Sequence, residues 1–271
     1  MEGRYLLGVE PVDAALTFLA QNSPTEIDPA AFAASDAQAR RRRASRTYTP
    51  ARVRPLAPEA AEHLRRLADR SLFRSMFEGT DYEVASVDIA GLVVAQPHVN
   101  FGYALRRVPE PVTPPQALEI CLPVTKGNVD AWGGVNSGPN VACTLVTPDL
   151  NLTVTEARLD TSDGIRPVFV IGRTAVFCHV VAVDGRLVIK NGTHRAVGLC
   201  ARGIVRMPCL VTRADTPADL PEGIDRRALM GDHPPTVADF LDPELHLVHT
   251  WPERIKVIRI IADEYVAPRM P

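Results

Sequence analysis

A short polar run in the second half of the chain combines the groups that bind and transfer phosphate. Residues 190–195 supply an ammonium, an amide, a hydroxyl, an imidazole and a guanidinium: Lys190, Asn191, Gly192, Thr193, His194 and Arg195. An arginine grips two phosphate oxygens with its planar fork, and a histidine exchanges a proton near neutral pH. These residues form a candidate nucleotide-binding loop, with His194 and Arg195 as candidate catalytic residues.

The flanking segments predict the elements that position this loop. LVIK before it is typical of a strand, AVGLCARG after it predicts a short helix that ends at Gly203, and MPCLV predicts a second strand. The sequence Val183-Asp184-Gly185-Arg186 predicts a hairpin turn ahead of LVIK. A loop that opens a helix presents free backbone N–H groups at the positive end of the helix dipole, which suits a phosphate.

This pattern of strand, NGTHR, helix, glycine and MPCLV resembles the ParB/sulfiredoxin-like superfamily. The segment from Tyr82 to Val108 is similar to the opening of such domains, so the likeness covers Tyr82–Thr212. The superfamily includes ParB-type partition proteins, sulfiredoxins and free-serine kinases. The resemblance implies an α+β fold of mixed sheet and short helices whose loop and helix N-terminus hold nucleotide phosphates.

The chain departs from these relatives at the residues that do their chemistry. Thr193 stands where sulfiredoxins have a reactive cysteine, so repair of sulfinic acid is not expected. The loop also lacks the glutamate of the Gly-Glu-Arg-Arg box of CTP-using ParB proteins. Free-serine kinases use an acidic base, for which the candidates here are Glu83, Asp88 and Glu119. The metal ligands are unknown, because no carboxylate pair stands out.

Each loop residue also has a structural interpretation. His194 could bridge the turn, Arg195 could tie the loop to the sheet through an ion pair, and Thr193 could cap the helix. Among residues outside the loop, Arg173 and Gln96 are candidates to reach the same pocket, and His98 and Asn100 are weaker ones. Arg173 is at least as compatible with a plain turn.

Other histidines and an aromatic residue have less specific signals. His179 lies in an apolar run and is interpreted as a core histidine. His246 and His249 are three positions apart and could share a metal on a helix, but no third ligand is evident. Trp132 either covers a pocket or anchors its loop.

Positive charge is concentrated near the N-terminus. Seven arginines fall between residues 40 and 54, and the most compact run is Arg40, Arg41, Arg42 and Arg43. This segment could contact the phosphates of DNA or RNA. It could equally be a solvated helix end and linker, paired with the acids of the first 39 residues, and that interpretation is preferred.

The composition is that of an ordinary globular protein and excludes several classes. The chain has 271 residues, 46% hydrophobic and 23% charged, with a formal net charge of −2. Apolar runs fall short of the roughly 20 residues of a membrane helix, and no signal peptide is evident, so a cytoplasmic protein without membrane contact is expected. Cys121, Cys178 and Cys209 lie in apolar runs and are expected to be buried free thiols rather than disulfides.

The periodicity predicts three regions in an α+β fold. Residues 1–80 form a helical, arginine-rich extension, residues 81–212 the ParB/sulfiredoxin-like domain, and residues 213–271 a C-terminal appendage with a final strand. Predicted helices are residues 11–21, a helix capped by Asp28, Glu59–Phe77 and a short one at Val237–Leu241. A Gly/Asn-rich surface loop is expected at 125–140, with Val141–Val146 and Leu152–Leu159 as a strand pair, and with further strands at Pro167–Ile171 and Ala175–Val183.

The function expected from these signals is binding of a nucleotide or another phosphorylated small molecule. Hydrolysis of the nucleotide or transfer to a small molecule could follow, with a nucleoside triphosphate and Mg²⁺ as cofactors. The alternatives are a ParB-like module that binds DNA or senses a nucleotide through the Arg40–Arg54 segment without catalysis, a nuclease, and a structural remnant with an unused pocket. The sequence does not indicate an oligomeric state.

Overall fold

The computed structural model describes residues 1–124, 131–137, 141–147, 152–162, 166–173, 177–220 and 223–262, and they have the mixed composition of an α+β protein. The chain divides into two compact units. The first unit comprises Met1–Thr125 and Val176–Pro252, and the second comprises Lys126–Ala175 and Glu253–Pro271. The first unit contains the residues of the predicted phosphate loop.

The helices and strands alternate irregularly along the chain. The helices are α1 (Val12–Asn22), α2 (Pro29–Ala44), α3 (Ala61–Ala68), α4 (Ser71–Phe77), α5 (Phe101–Arg106), α6 (Pro114–Cys121), α7 (Thr193–Ala201) and α8 (Arg226–Met230). The strands are β1 (Glu2–Leu6), β2 (Val53–Arg54), β3 (Tyr82–Asp88), β4 (Val93–Val94), β5 (His98–Asn100), β6 (Trp132–Ser137), β7 (Val141–Thr147), β8 (Leu152–Asp160), β9 (Arg166–Arg173), β10 (His179–Val183), β11 (Arg186–Asn191), β12 (Arg206–Arg213), β13 (His246–Thr250) and β14 (Lys256–Ala262).

A six-stranded mixed sheet with the order β2-β3-β12-β10-β11-β4 forms the centre of the first unit. Strands β10 and β11 are an antiparallel hairpin whose turn residues Asp184 and Gly185 have φ angles of 45° and 73°. Two successive positive φ angles are the signature of the tight hairpin turn, so the predicted turn is confirmed. Helix α7 then carries the chain to β12, which lies parallel to β10 with His179 opposite Leu210.

Helix α7 is buried on most of its surface because it packs against α5, against β5 and against the 3₁₀ turn at Val237–Phe240. Ala196, Val197 and Leu199 are fully buried, and a Cβ added at Gly198 would meet the Ala104 carbonyl oxygen at 2.6 Å. Glycine therefore permits the close approach of α5 to α7. The predicted order of strand, loop, helix and strand over residues 186–211 is confirmed.

The N-terminal residues belong to a second sheet of the same unit, with the order β13-β1-β5. Strand β1, which the sequence analysis did not predict, pairs with β13 so that Glu2 lies opposite Thr250. Helices α1 and α2 cover this sheet through an apolar cluster that includes Tyr5, Leu19 and Phe32. Helix α1 matches the prediction of a helix over residues 11–21 to within one residue. Helix α2 matches as well, and the Asp28 side chain caps it by accepting from the Ala30 N–H at 2.9 Å.

Several other predicted elements are wrong in detail. The helix expected over Glu59–Phe77 is divided into a 3₁₀ turn at Pro58–Ala60, α3 and α4, with a break at residues 69–70. His246 and His249 lie on strand β13 and not on a helix, so neighbouring residues alternate between its faces and a spacing of three puts them on opposite sides. The surface loop expected at 125–140 contains β6 at Trp132–Ser137, while 125–130 and 138–140 lie outside the described residues.

In the second unit, β7 is the central strand of an antiparallel sheet with the order β14-β7-β6, and β8 pairs with β9. The predicted pairing of Val141–Val146 with Leu152–Leu159 is therefore wrong, since the two segments lie in different sheets. The predicted final strand is confirmed as β14. Within the described ranges, no helix is long and apolar enough to span a bilayer.

Candidate functional site

The first turn of α7 has the backbone geometry of an anion site. Gly192 precedes the nine-residue helix with φ 104° and ψ 15°, and no side chain caps the helix. Among the described residues, none accepts a hydrogen bond from the backbone N–H of Thr193 or His194. Since the N-terminus of a helix also carries the positive end of its dipole, this turn offers free donors to a negatively charged oxygen.

Glycine is required at position 192 for two separate reasons. Its positive φ angle is one that other residues rarely adopt. In addition, a Cβ at this position would lie 2.7 Å from the Cys178 sulfur, which is closer than such atoms approach in proteins. The turn therefore rests directly on the buried Cys178 side chain.

His194 is held in place as a neutral hydrogen-bond acceptor. Its Nε2 atom accepts from the backbone N–H of Asn100 at 3.0 Å, and its ring packs edge-on against Tyr103 with centroids 5.8 Å apart. Burial, together with the positive charges of Arg107 and Arg195, lowers the pKa of His194 from 6.5 to about 4. Its ring is thus uncharged near neutral pH, and it joins α7 to β5.

Arg195 and Thr193 point into the protein, whereas the residues before them face solvent. Arg195 is only 6% exposed and its Nη1 donates to the carbonyl oxygen of Ile120 at 3.2 Å, at the end of α6. Thr193 is 5% exposed. Lys190 and Asn191, at the end of β11, are exposed. The exposed side-chain donors of the loop are therefore Lys190 and Asn191.

The remaining candidates from the sequence differ in how close they come to this turn. Strand β5 contacts α7 through Asn100, and Gln96 just ahead of it donates from Nε2 to the His98 carbonyl oxygen at 2.8 Å. The His98 ring stacks on Trp251, with centroids 5.1 Å apart. Arg173 lies in β9 of the other unit, and its side chain is outside the described residues.

The candidate acidic residues are dispersed. Glu83 lies on β3 opposite Val211, Asp88 lies at the far end of the same strand opposite Arg206, and Glu119 accepts from the Val124 N–H at 3.3 Å. In the part of the chain that the structure describes, no three His, Cys, Asp or Glu side chains are grouped as metal ligands. The described carboxylates thus do not assemble a Mg²⁺ site at α7.

The arginine-rich segment is largely engaged within the molecule. Arg40 pairs with Asp36 at 2.9 Å and Arg42 with Asp242 at 3.1 Å. Arg43 is buried and pairs with Asp239 at 3.3 Å. Of the four consecutive arginines, Arg41 alone makes no ion pair to another described residue.

Residues that follow the end of α2 line an open cleft of about 370 Å³. Its polar lining includes residues of the arginine-rich segment, of β3, and of the 3₁₀ turn at Val237–Phe240 with the stretch before it: Arg46, Tyr48, Arg52, Asp88, His233 and Asp239. Arg46 shares Asp239 with the buried Arg43, at 3.0 Å. Arg52 is exposed and pairs with none of the described carboxylates. The sequence analysis missed this cleft as a site because residues almost 200 positions apart form it.

Comparison with known proteins gives no relative from which a function could be transferred. No family model, curated protein or solved structure matches the chain.

Proposed function

We propose that this protein binds the phosphate groups of a nucleotide at the first turn of α7, in a core of the ParB/sulfiredoxin-like type. The observation that carries the proposal is the conformation of Gly192, which opens a nine-residue helix with no side-chain cap. The free N–H groups of Thr193 and His194 need an acceptor, and an anionic phosphate oxygen satisfies both their hydrogen bonds and the helix dipole.

The surrounding residues support this role in two ways. Lys190 and Asn191 are exposed beside the turn and supply a charge and an amide to the same ligand. His194 and Arg195 act as positioning residues, because the first is neutral and bonded to Asn100 and the second is bonded to Ile120. Turnover by hydrolysis or transfer would in addition need Mg²⁺ and a base. Binding is accordingly the function that we propose.

The core topology favours a nucleotide over an unspecified anion. The hairpin β10–β11, the glycine turn, α7 and the parallel return to β12 follow the order on which the resemblance to nucleotide-binding proteins was based. Gln96 and Asn100 lie in the segment that is similar to the opening of those domains. The ligand class rests on this resemblance, whereas the phosphate site rests on the backbone of α7.

The test is a thermal-shift screen of ATP, ADP, CTP and GTP with and without Mg²⁺, followed by amide NMR of the nucleotide that binds. A ligand at about 100 times its Kd stabilises the folded state by about 2.7 kcal/mol, which corresponds to about 5–10 °C for a unit of this size. We expect the amide signals of Thr193 and His194 to move first, because these groups are the proposed donors.

Lys190→Ala is the matched loss variant, with Arg206→Ala as its control. Both side chains are exposed cations on the same sheet, but Arg206 lies on β12 four residues from Leu210, the residue of that strand that is level with the end of β11. We expect a weaker Kd in Lys190→Ala and an unchanged Kd in Arg206→Ala. Equal effects in the two variants, or amide changes confined to residues away from α7, would contradict the proposal.

A second candidate function is binding of a nucleic-acid backbone at the open cleft that Arg46 and Arg52 line. The observation that favours it is Arg52, an exposed cation that lines the cleft beside Arg46 and makes no ion pair within the described residues. This surface includes part of the segment singled out for DNA contact, although Arg40, Arg42 and Arg43 are committed to carboxylates.

Fluorescence anisotropy of a labelled DNA duplex over a range of salt concentrations tests this candidate. Each phosphate contact contributes about −0.9 to the slope of log K against log salt, so Arg52→Ala should flatten the slope by about that amount. Arg40→Ala is the control, because Arg40 already pairs with Asp36. An affinity that does not respond to salt would reject nucleic-acid binding.

A further inference from the structure

Three buried cysteines meet beneath the first turn of α7. Cys121 ends α6, Cys178 directly precedes β10 and Cys209 lies in β12, and all three side chains are fully buried. The backbone N–H of Cys178 donates to the Cys121 carbonyl oxygen at 2.8 Å, while its carbonyl accepts from Leu210 at 2.9 Å. These bonds fix Cys178 between α6 and β12.

The bond from Cys178 to Cys121 sets the separation that a disulfide would need. An N···O distance of 2.8 Å limits the separation of the two Cα atoms, by standard backbone lengths, to at most about 6.7 Å. Disulfides occur at Cα separations of about 4.4–6.8 Å. The two side chains also interact electrostatically, since each shifts the pKa of the other thiol. Cys121 and Cys178 can therefore be joined with little backbone movement.

The surroundings of the pair shift the pKa values of the two thiols in opposite directions. The hydrogen bond from the Cys121 thiol lowers the pKa of Cys178, and the guanidinium groups of Arg195 and Arg107 add to this effect while burial opposes it. The same hydrogen bond, followed by burial, raises the pKa of Cys121. Because the thiolate is the nucleophilic form, and because the Cys178 sulfur lies directly against the Gly192 turn, Cys178 is assigned the first step of the reaction.

The glycine turn lies directly against the Cys178 sulfur. Gly192 is half-buried, and the position of its missing Cβ lies 2.7 Å from the Cys178 sulfur. No side chain therefore covers the sulfur on that side. An oxidant the size of water could reach it by a small opening of the turn, whereas the tripeptide disulfide of glutathione could not.

We propose that Cys121 and Cys178 form an oxidisable dithiol that a peroxide converts to a disulfide. The Cys178 thiolate attacks one oxygen of hydrogen peroxide, the O–O bond breaks, and hydroxide leaves to become water, which gives a sulfenic acid. The Cys121 sulfur then attacks the Cys178 sulfur, the S–S bond forms, and the sulfenic oxygen leaves as a second water. Two thiols are oxidised by two electrons, and one peroxide is reduced to two waters. This proposal is independent of what binds at α7.

The experiment is cysteine mapping of the folded full-length protein after exposure to hydrogen peroxide. The protein is denatured with N-ethylmaleimide to block free thiols, digested and analysed by mass spectrometry. We expect a Cys121–Cys178 cross-linked peptide that dithiothreitol cleaves, with Cys200 and Cys209 still alkylated. Preferential oxidation of other cysteines, while Cys121 and Cys178 remain alkylated, would overturn the proposal.

Variants and a second oxidant separate the steps. In Cys121→Ala, oxidation should stop at a Cys178 sulfenic acid that dimedone traps, and Cys209→Ala should still form the disulfide. Circular dichroism checks that each variant folds, and the wild-type map decides the proposal if one of them does not. Oxidised glutathione at the same concentration should leave the pair reduced. Disulfide formation at an equal rate with glutathione would refute the access route through Gly192.

Discussion

Substitution of Gly192 by alanine combines two costs that the structure allows us to separate. A non-glycine residue in the left-handed region loses about 1–2 kcal/mol, and the φ angle here is 104°. The new Cβ would lie 2.7 Å from the buried Cys178 sulfur, and overpacking of this kind costs about 1–3 kcal/mol. We expect Gly192→Ala to lower the free energy of unfolding by about 2–5 kcal/mol.

Gly203→Ala is the matched control for the backbone part. Gly203 has a φ angle of 75°, and a Cβ there would meet nothing within 4 Å. It should show the conformational cost alone. The difference between the two alanine variants, about 1–3 kcal/mol, then measures the contact with Cys178.

Urea unfolding followed by circular dichroism measures both variants, and a double-mutant cycle with Cys178→Ala assigns the difference to one contact. Removing the sulfur should relieve part of the clash that Gly192→Ala creates. The double variant should therefore lose less free energy of unfolding than the sum of the two single variants. Equal losses in Gly192→Ala and Gly203→Ala, with no coupling to Cys178, would refute the packing of this turn on the cysteine. The peroxide route through Gly192 would fall with it.

Three other predictions concern contacts elsewhere in the first unit. An unfolded histidine binds its proton near pH 6.5 but folded His194 only near 4, so the unfolded state binds more protons in this window and stability falls as pH decreases. His194→Gln keeps a hydrogen-bond acceptor but has no proton to bind. In urea titrations, its free energy of unfolding should fall between pH 7 and pH 4 by up to about 3 kcal/mol less than that of the wild type. An equal fall in both proteins would contradict the assignment of a neutral His194. Asp239→Asn leaves the buried Arg43 without its carboxylate and should lower the free energy of unfolding by about 3–5 kcal/mol, a loss that Arg43→Met in the same protein should partly restore. Asp28→Ala should lower it by about 1 kcal/mol through loss of the α2 cap, and Asp28→Ser should not.

Local signals in the sequence were sufficient to predict the segment around α7. The Asp184-Gly185 turn, the apolar runs on either side and Gly203 each act within a few residues, so the order of strand, turn, helix and strand could be predicted. The break between α3 and α4 is also local, but no proline or glycine interrupts Glu59–Phe77 to mark it. Strand β1 depends on pairing with β13 and β5, and such pairing leaves little trace in a single sequence.

The candidate site was predictable in its backbone but not in its side chains. The glycine at the start of a helix is visible in the sequence, whereas the burial of His194 depends on Asn100, 94 positions away. The contact of Cys121 with Cys178 likewise arises from tertiary structure, since one cysteine ends a helix and the other precedes a strand. Residue type indicated the chemistry available, and the fold decides which groups face solvent.

The pairing of β1 with β13 also constrains how the protein is made. Glu2 lies opposite Thr250, so the first strand leaves the ribosome long before its partner exists. At a synthesis rate of about 5–20 residues per second, β1 waits on the order of ten seconds or more with its hydrogen-bonding edge unpaired. The same holds for β3, whose partner β12 follows more than 100 residues later. Neither sheet can be completed until these distant strands have been synthesised, and the waiting strands are the segments that a chaperone would be expected to shield.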